Sequence, residues 1–399
     1  MVLGWRLEGD GERTRLIVRV RPRRKALGRC GICHRRCPGY DRGGGLRRWR
    51  TLDLAGRMCF LEAEAPRVQC PRHGVVVAAV PWARHGADFT RAFEDQVAWL
   101  AAHCSQTAVA ELMRISWYTV GAIIGRVVAD ARARPDFLRG VTRIGIDEVH
   151  YKRGQRYLTV ILDHDTGHVL YAAPGRDSET VGRFFLLLGH EGCSRISLVS
   201  ADAGEWIAKA VHAHCPNAHI CLDPFHVVSW ATDALDEVRR TVWNDARRAG
   251  QAAVAKEIKG ARWALWKNPP DLSAKEEAKL AEIQRTNGPL YRAYLLKEEL
   301  REVFRLPPDE ALDLLDAWLA WACRCRLQPF VRVSKTIRRL REEIADAIRH
   351  GLSNARVEAA NTKVRVLTRV AYGFHSAAAL VSLVYLTLGG CCPSLPGRA

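Results

Sequence analysis

The sequence predicts a multidomain α/β chain with a mixed central sheet, preceded by two small modules and interrupted by an all-helical stretch. Three observations carry that prediction. Cys/His knuckles stand near the N-terminus, and strand and helix patterns alternate over roughly residues 140–230. From about Ser229 to Arg349 the pattern is almost wholly helical. The 399 residues are 48% hydrophobic, enough to bury real cores, which excludes a disordered tail protein. With 61 Lys+Arg against 43 Asp+Glu, the net charge is +18 and the pI near 9.6. Such a surface attracts polyanions, with nucleic acid the first candidate and an acidic membrane surface the second.

The first 50 residues hold 15 Lys+Arg against 4 Asp+Glu and surround a cysteine cluster. Cys30-Gly-Ile-Cys33 and Cys70-Pro-Arg-His73 form C-x2-C and C-x2-H knuckles. Four such ligands suit a closed tetrahedral zinc site. A module this small needs a metal staple in place of a large core. The stretch between them has strand-like segments such as Met58-Cys-Phe-Leu61, so a zinc ribbon is expected, with Cys59 in its core. Cys37 remains an alternative ligand. Arg47, Arg48 and Arg50 are candidate DNA contacts of this basic module. The cysteine total is 13, odd and scattered, which argues against a disulfide framework. Met1–Asp10 lacks a secretory pattern. No apolar run reaches about 18 residues, and the closest, Ala377–Cys392, reads as a buried core helix. The expected location is therefore the cytoplasm, with no membrane partner.

Residues Phe93–Asp130 are helical in pattern, with Val97, Leu100, Ala101 and Cys104 at i, i+3, i+4 and i+7. A short helix over Thr107–Leu112, a turn and a second helix from Trp117 give a helix-turn-helix layout, with Ser116 as N-cap. The second helix is the expected recognition helix, exposing Trp117, Tyr118, Thr119 and Arg126. A helical hairpin with no DNA role is the alternative.

Beyond Pro135, three strands are expected at Arg143–His150, Tyr157–Leu162 and His168–Ala172, joined by tight hairpins. A helix over Glu179–Leu188, a strand Ile196–Ser200, a helix Trp206–His214 and a strand Ala218–Leu222 follow. This is the order of an RNase H-like fold, in which the first and fourth strands are neighbours. Asp147 sits within the apolar first strand, and a buried acid is costly unless paired or metal-bound. Asp202 ends the fourth strand, so the two carboxylates converge. Glu358, on a later helix with Asn361 and Arg365 on the same face, is the chosen third acid. Three carboxylates hold hard divalent cations, and a pair of such ions serves phosphodiester chemistry. Glu148 is expected to point away from Asp147, and Asp163 falls in a turn. Asp223 and His226 follow the fifth strand directly, where the imidazole either tunes the metal site or packs on the sheet edge. The expected domains are 1–82, 83–136, 140–230, 231–350 and 351–399.

These residues resemble the insertion-sequence transposases of the ISL-three family, a DDE group. The resemblance runs through Cys30-x2-Cys33, Cys70-Pro-Arg-His-Gly74, Val80-Pro-Trp-Ala83, Ala108–Leu112 and Ser116–Val120. It continues in Ile144-Gly-Ile-Asp-Glu148, Ser200–Ala203, Asp223–Val227, Ser353–Glu358 and Ala371–Phe374. It implies that Asp147, Asp202 and Glu358 are the catalytic acids holding Mg²⁺ or Mn²⁺, and that Asp223 and His226 form an accessory Asp-x2-His motif. It implies structural Zn²⁺ in the ribbon and a helical insertion between the second and third acids. The expected partner is double-stranded DNA, both terminal inverted repeats and target, contacted also through Lys363 and Arg365. A homo-oligomer on DNA in a bacterial nucleoid is expected. The alternatives are a non-catalytic DNA-binding regulator and a nuclease without strand transfer.

Overall fold

The structure, a computed structural model, describes residues 1–11, 14–152, 154, 156–371 and 373–397. Tyr372 of the Ala371–Phe374 match lies outside them. The chain forms two compact units, residues 1–137 with 366–399, and residues 138–365.

The first unit opens with β1 (Val2–Glu8), β2 (Arg15–Val20), β3 (Gly39–Asp41), β4 (Leu46–Leu54), β5 (Arg57–Glu64), β6 (Arg67–Cys70) and β7 (Gly74–Val77). They make a four-stranded sheet, β1-β2-β5-β4, and a three-stranded sheet, β3-β6-β7. Trp49 is buried in the first sheet, edge-on to Trp82 at 5.7 Å. Cys59 is in the core as expected.

Helices α1 (Arg91–His103), α2 (Gln106–Met113) and α3 (Trp117–Arg132) follow. Ser105 and Ser116 cap α2 and α3, accepting hydrogen bonds from the backbone N–H of Ala108 and Thr119. Arg114 closes α2 in the left-handed region at φ 53°. Glu94 on α1 is fully buried, and its carboxylate pairs with Arg84 at 3.2 Å and Arg126 at 2.7 Å. Arg126 is therefore not on the exposed face of α3, contrary to the expectation from sequence. A buried carboxylate requires a cation more strongly than helix periodicity dictates an outward arginine. Arg126→Ala is expected to destabilise the first unit by about 2 kcal/mol, whereas Tyr118→Ala leaves its melting unchanged. Thermal denaturation of the two variants checks this, and equal melting would refute the role given to Arg126.

The second unit contains β8 (Arg143–Lys152), β9 (Arg156–Asp163), β10 (Val169–Pro174), α4 (Ser178–Arg195), β11 (Leu198–Ala201), α5 (Glu205–His214) and β12 (His219–Leu222). The sheet order is β10-β9-β8-β11-β12. The first three strands are antiparallel neighbours, and β11 runs parallel to both β8 and β12. Element order and the β8–β11 adjacency agree with expectation. α4 runs past its expected end, broken at Gly189 with φ 75°. Ile144, Ile146, Val199 and Ala201 are buried with Phe184 and Phe185 of α4 and Ile207 and Val211 of α5.

The helical stretch comprises α6 (Pro224–Arg248), α7 (Ala252–Gly260), α8 (Arg262–Trp266), α9 (Ala274–Thr286), α10 (Gly288–Val303), α11 (Pro308–Ala322), α12 (Gln328–Arg339) and α13 (Arg341–His350). Pro308 begins α11, where a missing N–H costs nothing. Leu235, Leu296, Leu300, Trp318 and Phe330 form its core, and the Trp318 indole donates to the Leu296 carbonyl at 2.7 Å.

Lys297 is fully buried there, donating to the Leu265 carbonyl at 2.7 Å and paired with Glu298. Burial lowers its pKa from 10.5 to about 8. Between those values the unfolded chain binds more protons than the folded one, so stability rises with pH across that window. Relative to Lys297→Met, the native chain is expected to gain about 3 kcal/mol from pH 8 to 10.5. Denaturant unfolding of both proteins along that pH range measures it, and a constant difference would refute it.

The chain ends with α14 (Ala355–Val370) and α15 (Ala377–Leu388). α15 packs on α1 and α3 in the first unit, with the Arg132 guanidinium 4.0 Å above the Tyr385 ring. Residues 351–399 are expected as C-terminal helices of the same core as 140–230, whereas residues 366–399 group with the first unit. The apolar face of α15 is satisfied by the helices of the first unit instead. Among the described residues no single helix is long and apolar enough to cross a membrane.

Candidate functional site

Two clusters bring chemistry-bearing side chains together. In the first unit, Cys30, Cys33, Cys70 and His73 converge, their ligand atoms all within 4.8 Å of one another. Cys33 Sγ lies 3.8 Å from Cys70 Sγ, and His73 Nδ1 lies 3.5 Å from Cys30 Sγ and 3.6 Å from Cys70 Sγ. Zinc bonds of about 2.3 Å to sulfur and 2.0–2.1 Å to nitrogen give tetrahedral edges of about 3.8 Å (S–S) and 3.6 Å (S–N). The donor set therefore fits a structural zinc. Cys37 is buried, but its thiol faces the Arg35 carbonyl at 3.3 Å and is not one of the four.

In the second unit, sheet register builds the other cluster. Ile146 of β8 pairs with Ala201 of β11, which pairs with Leu222 of β12. Asp147, Asp202 and Asp223 each come one residue later. Three acids therefore stand side by side, Asp202 and Asp223 where β11 and β12 run out and Asp147 in the middle of the adjacent parallel strand β8, near the carboxyl ends of parallel strands where sites on open α/β sheets lie. Asp202, Asp223 and His226 have their ligand atoms within 4.8 Å of one another. His226 Nδ1 is 3.0 Å from Asp202 and 3.2 Å from Asp223. Hydrogen bonds to Asp202 and then Asp223 raise its pKa to about 10, against the opposing effect of burial. The imidazole is thus a cation at neutral pH, offsetting two neighbouring carboxylates. Asp147 is pushed up to about 7, first by burial and then by the Asp202 charge. A carboxyl held near neutrality by its neighbours is common at functional sites. The three carboxylates offer the oxygen donors that a hard divalent cation takes, and the protonated imidazole pairs with two of them as a counter-charge.

Two asparagines tie α14 to these acids. Asn354, just before the helix, donates from its side chain to Asp202 at 3.2 Å and from its backbone to Asp223 at 3.1 Å. Asn361 donates to Asp147 at 2.7 Å. Both are buried, and Asn361 Oδ1 has no hydrogen-bond partner among the described residues. Ser200 donates to Asn354 Oδ1 at 2.5 Å and is itself within 2.7 Å of the buried His164. Glu358 lies four residues after Asn354 and three before Asn361, beside the buried face of α14 formed by Val357, Asn361 and Val364. Its side chain is exposed, and neither it nor Asp147 belongs to the tight Asp202–Asp223–His226 cluster. The role of Asn354 is not apparent from sequence. The available signal is an asparagine directly before α14, seven residues ahead of Asn361.

Glu148 turns to Arg176 at 2.6 Å, as strand alternation predicts, though its charge still reaches Asp147. Asp163 makes a turn, accepting from the N–H groups of Asp165 and Thr166.

The candidate DNA contacts divide. Trp117 and Tyr118 are exposed at the start of α3, at 41% and 80%. Thr119 is half-buried and bonded to Ser116 at 2.7 Å. Lys363 and Arg365 are exposed on α14. Arg47 pairs with Asp88, and Arg48 with Glu8 and Glu62. Arg50 is a correction, because it is buried, donates to the Arg114 carbonyl at 2.8 Å and stacks over Phe93. Its guanidinium fastens the sheet to the helices and is not free for DNA.

Residues 26–73 match the zinc-finger of transposase IS204/IS1001/IS1096/IS1165, and residues 78–128 the helix-turn-helix domain of transposase family ISL3. Residues 144–384 match the transposase domain of the DDE type in that family. The chain is 54% identical to the transposase for insertion sequence element IS1557 of Mycobacterium tuberculosis, over 98% of this chain and 92% of that protein. It is 27% identical to the transposase for insertion sequence element IS1001 of Bordetella parapertussis, over 92% and 89% respectively. Cysteine knuckles, helix-turn-helix and strand-end acids thus fall inside three matched segments in the same order, and the chain belongs to the ISL3 family of insertion-sequence transposases.

Proposed function

We propose that the chain binds the terminal inverted repeats of its own element, cleaves a phosphodiester at each end and transfers the freed 3′-OH to target DNA. The observation that carries this reading is the register Ile146–Ala201–Leu222, which aligns Asp147, Asp202 and Asp223 under the helix bearing Glu358. The sheet and its helices are read as an RNase H-like core, with α6 to α13 as an all-α insertion between Asp202 and Glu358. Asp147, Asp202 and Glu358 would hold two Mg²⁺ or Mn²⁺ ions, which supply Lewis-acid activation of the attacking and leaving oxygens. Asp223 and His226 orient Asp202, while Asn354 and Asn361 hold the carboxylates toward α14. Each step makes one P–O bond and breaks one. Water attacks first and releases the 3′-OH, and that hydroxyl then displaces a bridging oxygen in the target strand.

Trp117, Tyr118 and Thr119 are proposed to read base edges, and Arg47, Arg48, Lys363 and Arg365 to contact phosphate. Pairing two ends calls for a homo-oligomer on DNA, in the bacterial nucleoid. The test incubates the protein with labelled duplexes carrying the element's ends, with Mg²⁺ or with chelator, and separates cut from joined products. Metal-dependent cutting followed by joining is the expected result. Cutting without joining would indicate a nuclease, and binding without cutting a regulator.

A further inference from the structure

A groove of about 1490 Å³ runs among α6, α7, α8 and α9, away from the strand-end acids. It exceeds the roughly 300–1,000 Å³ of a small-molecule pocket. Its lining is basic and aromatic. Lys256, Lys259, Lys275 and Arg262 are all exposed along it. Among the described residues none of the four has an acidic partner within ion-pair distance. Arg239 and Arg240, further along, share the single Asp236 carboxylate. The acids on the lining are Glu257 and Glu282, and Glu282 is engaged by Arg285. With Lys279, which donates to the Gly260 carbonyl at 3.0 Å, five cations without an acidic partner face one unpaired acid among the described residues, a surface that attracts a polyanion.

Trp263 decides which polyanion. It is 59% exposed, edge-on to Trp266 at 6.0 Å, with the Arg262 guanidinium 4.1 Å above the Trp266 ring. The other tryptophans of this helical region that line its core are buried or half-buried. An indole open to solvent among cations gains little from a duplex, whose base faces are already stacked. It gains from an unstacked base, the combination by which single-strand sites work.

We propose that this groove binds single-stranded DNA, with Lys256, Lys259 and Lys275 tracking the phosphates and Trp263 stacking on a base. The inference deepens the DNA-processing reading and rests on it for the source of the strand, which is exposed when element ends are cut or opened.

The experiment measures anisotropy of a short fluorescent oligo-dT strand and of an inverted-repeat duplex with the full chain. It compares the native protein, Lys256→Ala/Lys259→Ala/Lys275→Ala and Trp263→Ala. The triple variant is expected to lose about tenfold or more in strand affinity, with a salt slope shallower by about 2. Trp263→Ala is expected to lose about tenfold, with Trp263→Phe close to native. Duplex affinity and melting temperature stay native in all of them, because every substituted side chain is exposed. Native strand affinity in both variants would overturn the proposal. So would a change in self-association by the triple variant without loss of strand affinity, which would make the groove a protein interface. Failure of the native protein to cut its element ends with metal would overturn the transposition reading instead, and the strand measurement separates the two failures.

Discussion

Asp202→Asn is expected to abolish metal-dependent cutting of the element ends, by at least about 10³-fold, while leaving inverted-repeat binding unchanged. Asp202 is the hub of the strand-end cluster, accepting from Asn354 and lying 3.0 Å from His226. Asparagine preserves its shape and can still accept from Asn354, at the loss of the His226 ion pair, while the metal loses a charged ligand. Lewis-acid activation is worth several kcal/mol of barrier, and about 4 kcal/mol is a thousandfold in rate. The same change removes the acid that, after burial, does most to raise Asp147, so the Asp147 carboxyl should titrate lower. Cleavage rates with Mn²⁺ or Mg²⁺, together with calorimetric metal binding, check the expectation. Near-native cutting by the variant would remove Asp202 from the catalytic site. Glu358→Gln is the informative companion, since its carboxylate stands outside the tight cluster and the proposal requires it to join once metal is held.

Cys30→Ser, or prolonged chelation, is expected to unfold the three-stranded sheet β3-β6-β7 and release one equivalent of zinc. Cys30 and Cys70 are almost fully buried, and with Cys37, Val68 and Ala78 they form a core of only a few side chains. Zinc binding in small modules supplies on the order of 10 kcal/mol of folding free energy, far more than that apolar area provides. The far-UV helical signal of the second unit should persist, because its core lies among Leu235, Leu296 and Trp318 and contains no metal ligand. Zinc release by a thiol-reactive titration and sheet protection by hydrogen exchange measure the two effects. Retention of protected β3-β6-β7 amides after complete zinc removal would refute it.

Both sites were partly legible in the sequence, for different reasons. The zinc ligands occupy two short motifs, so spacing named these four but left Cys37 as an alternative, and the structure brings together Cys30, Cys33, Cys70 and His73. The strand-end acids were named because an aspartate in an apolar strand pattern is anomalous, and because the order of strands and helices made β8 and β11 neighbours. Asp223 and His226 follow β12 at once and shared that visibility. What spacing left open was which groups touch. Arg50 and Arg126 looked like surface cations in sequence, and both are consumed inside the first unit, Arg126 by the buried Glu94 carboxylate. Asn354 reaches Asp202 over 152 residues of sequence, and Asn361 reaches Asp147 over 214.

The sequence by itself marked most elements beyond residue 90, the two Cys/His knuckles, the capped turn between α2 and α3 and the acids in or just after apolar strands. Each is marked by a short local pattern, a knuckle, a cap or an acid in or after an apolar strand, even where its partners lie elsewhere in the chain. Only the tertiary structure decided that α15 belongs with α3, that two asparagines clamp α14 to the aspartates, and that Trp263 faces solvent among unpaired lysines. Those outcomes are settled by competition for burial and for charge partners between segments far apart in the chain. Desolvation energies choose the winner there, and local periodicity carries no record of that competition.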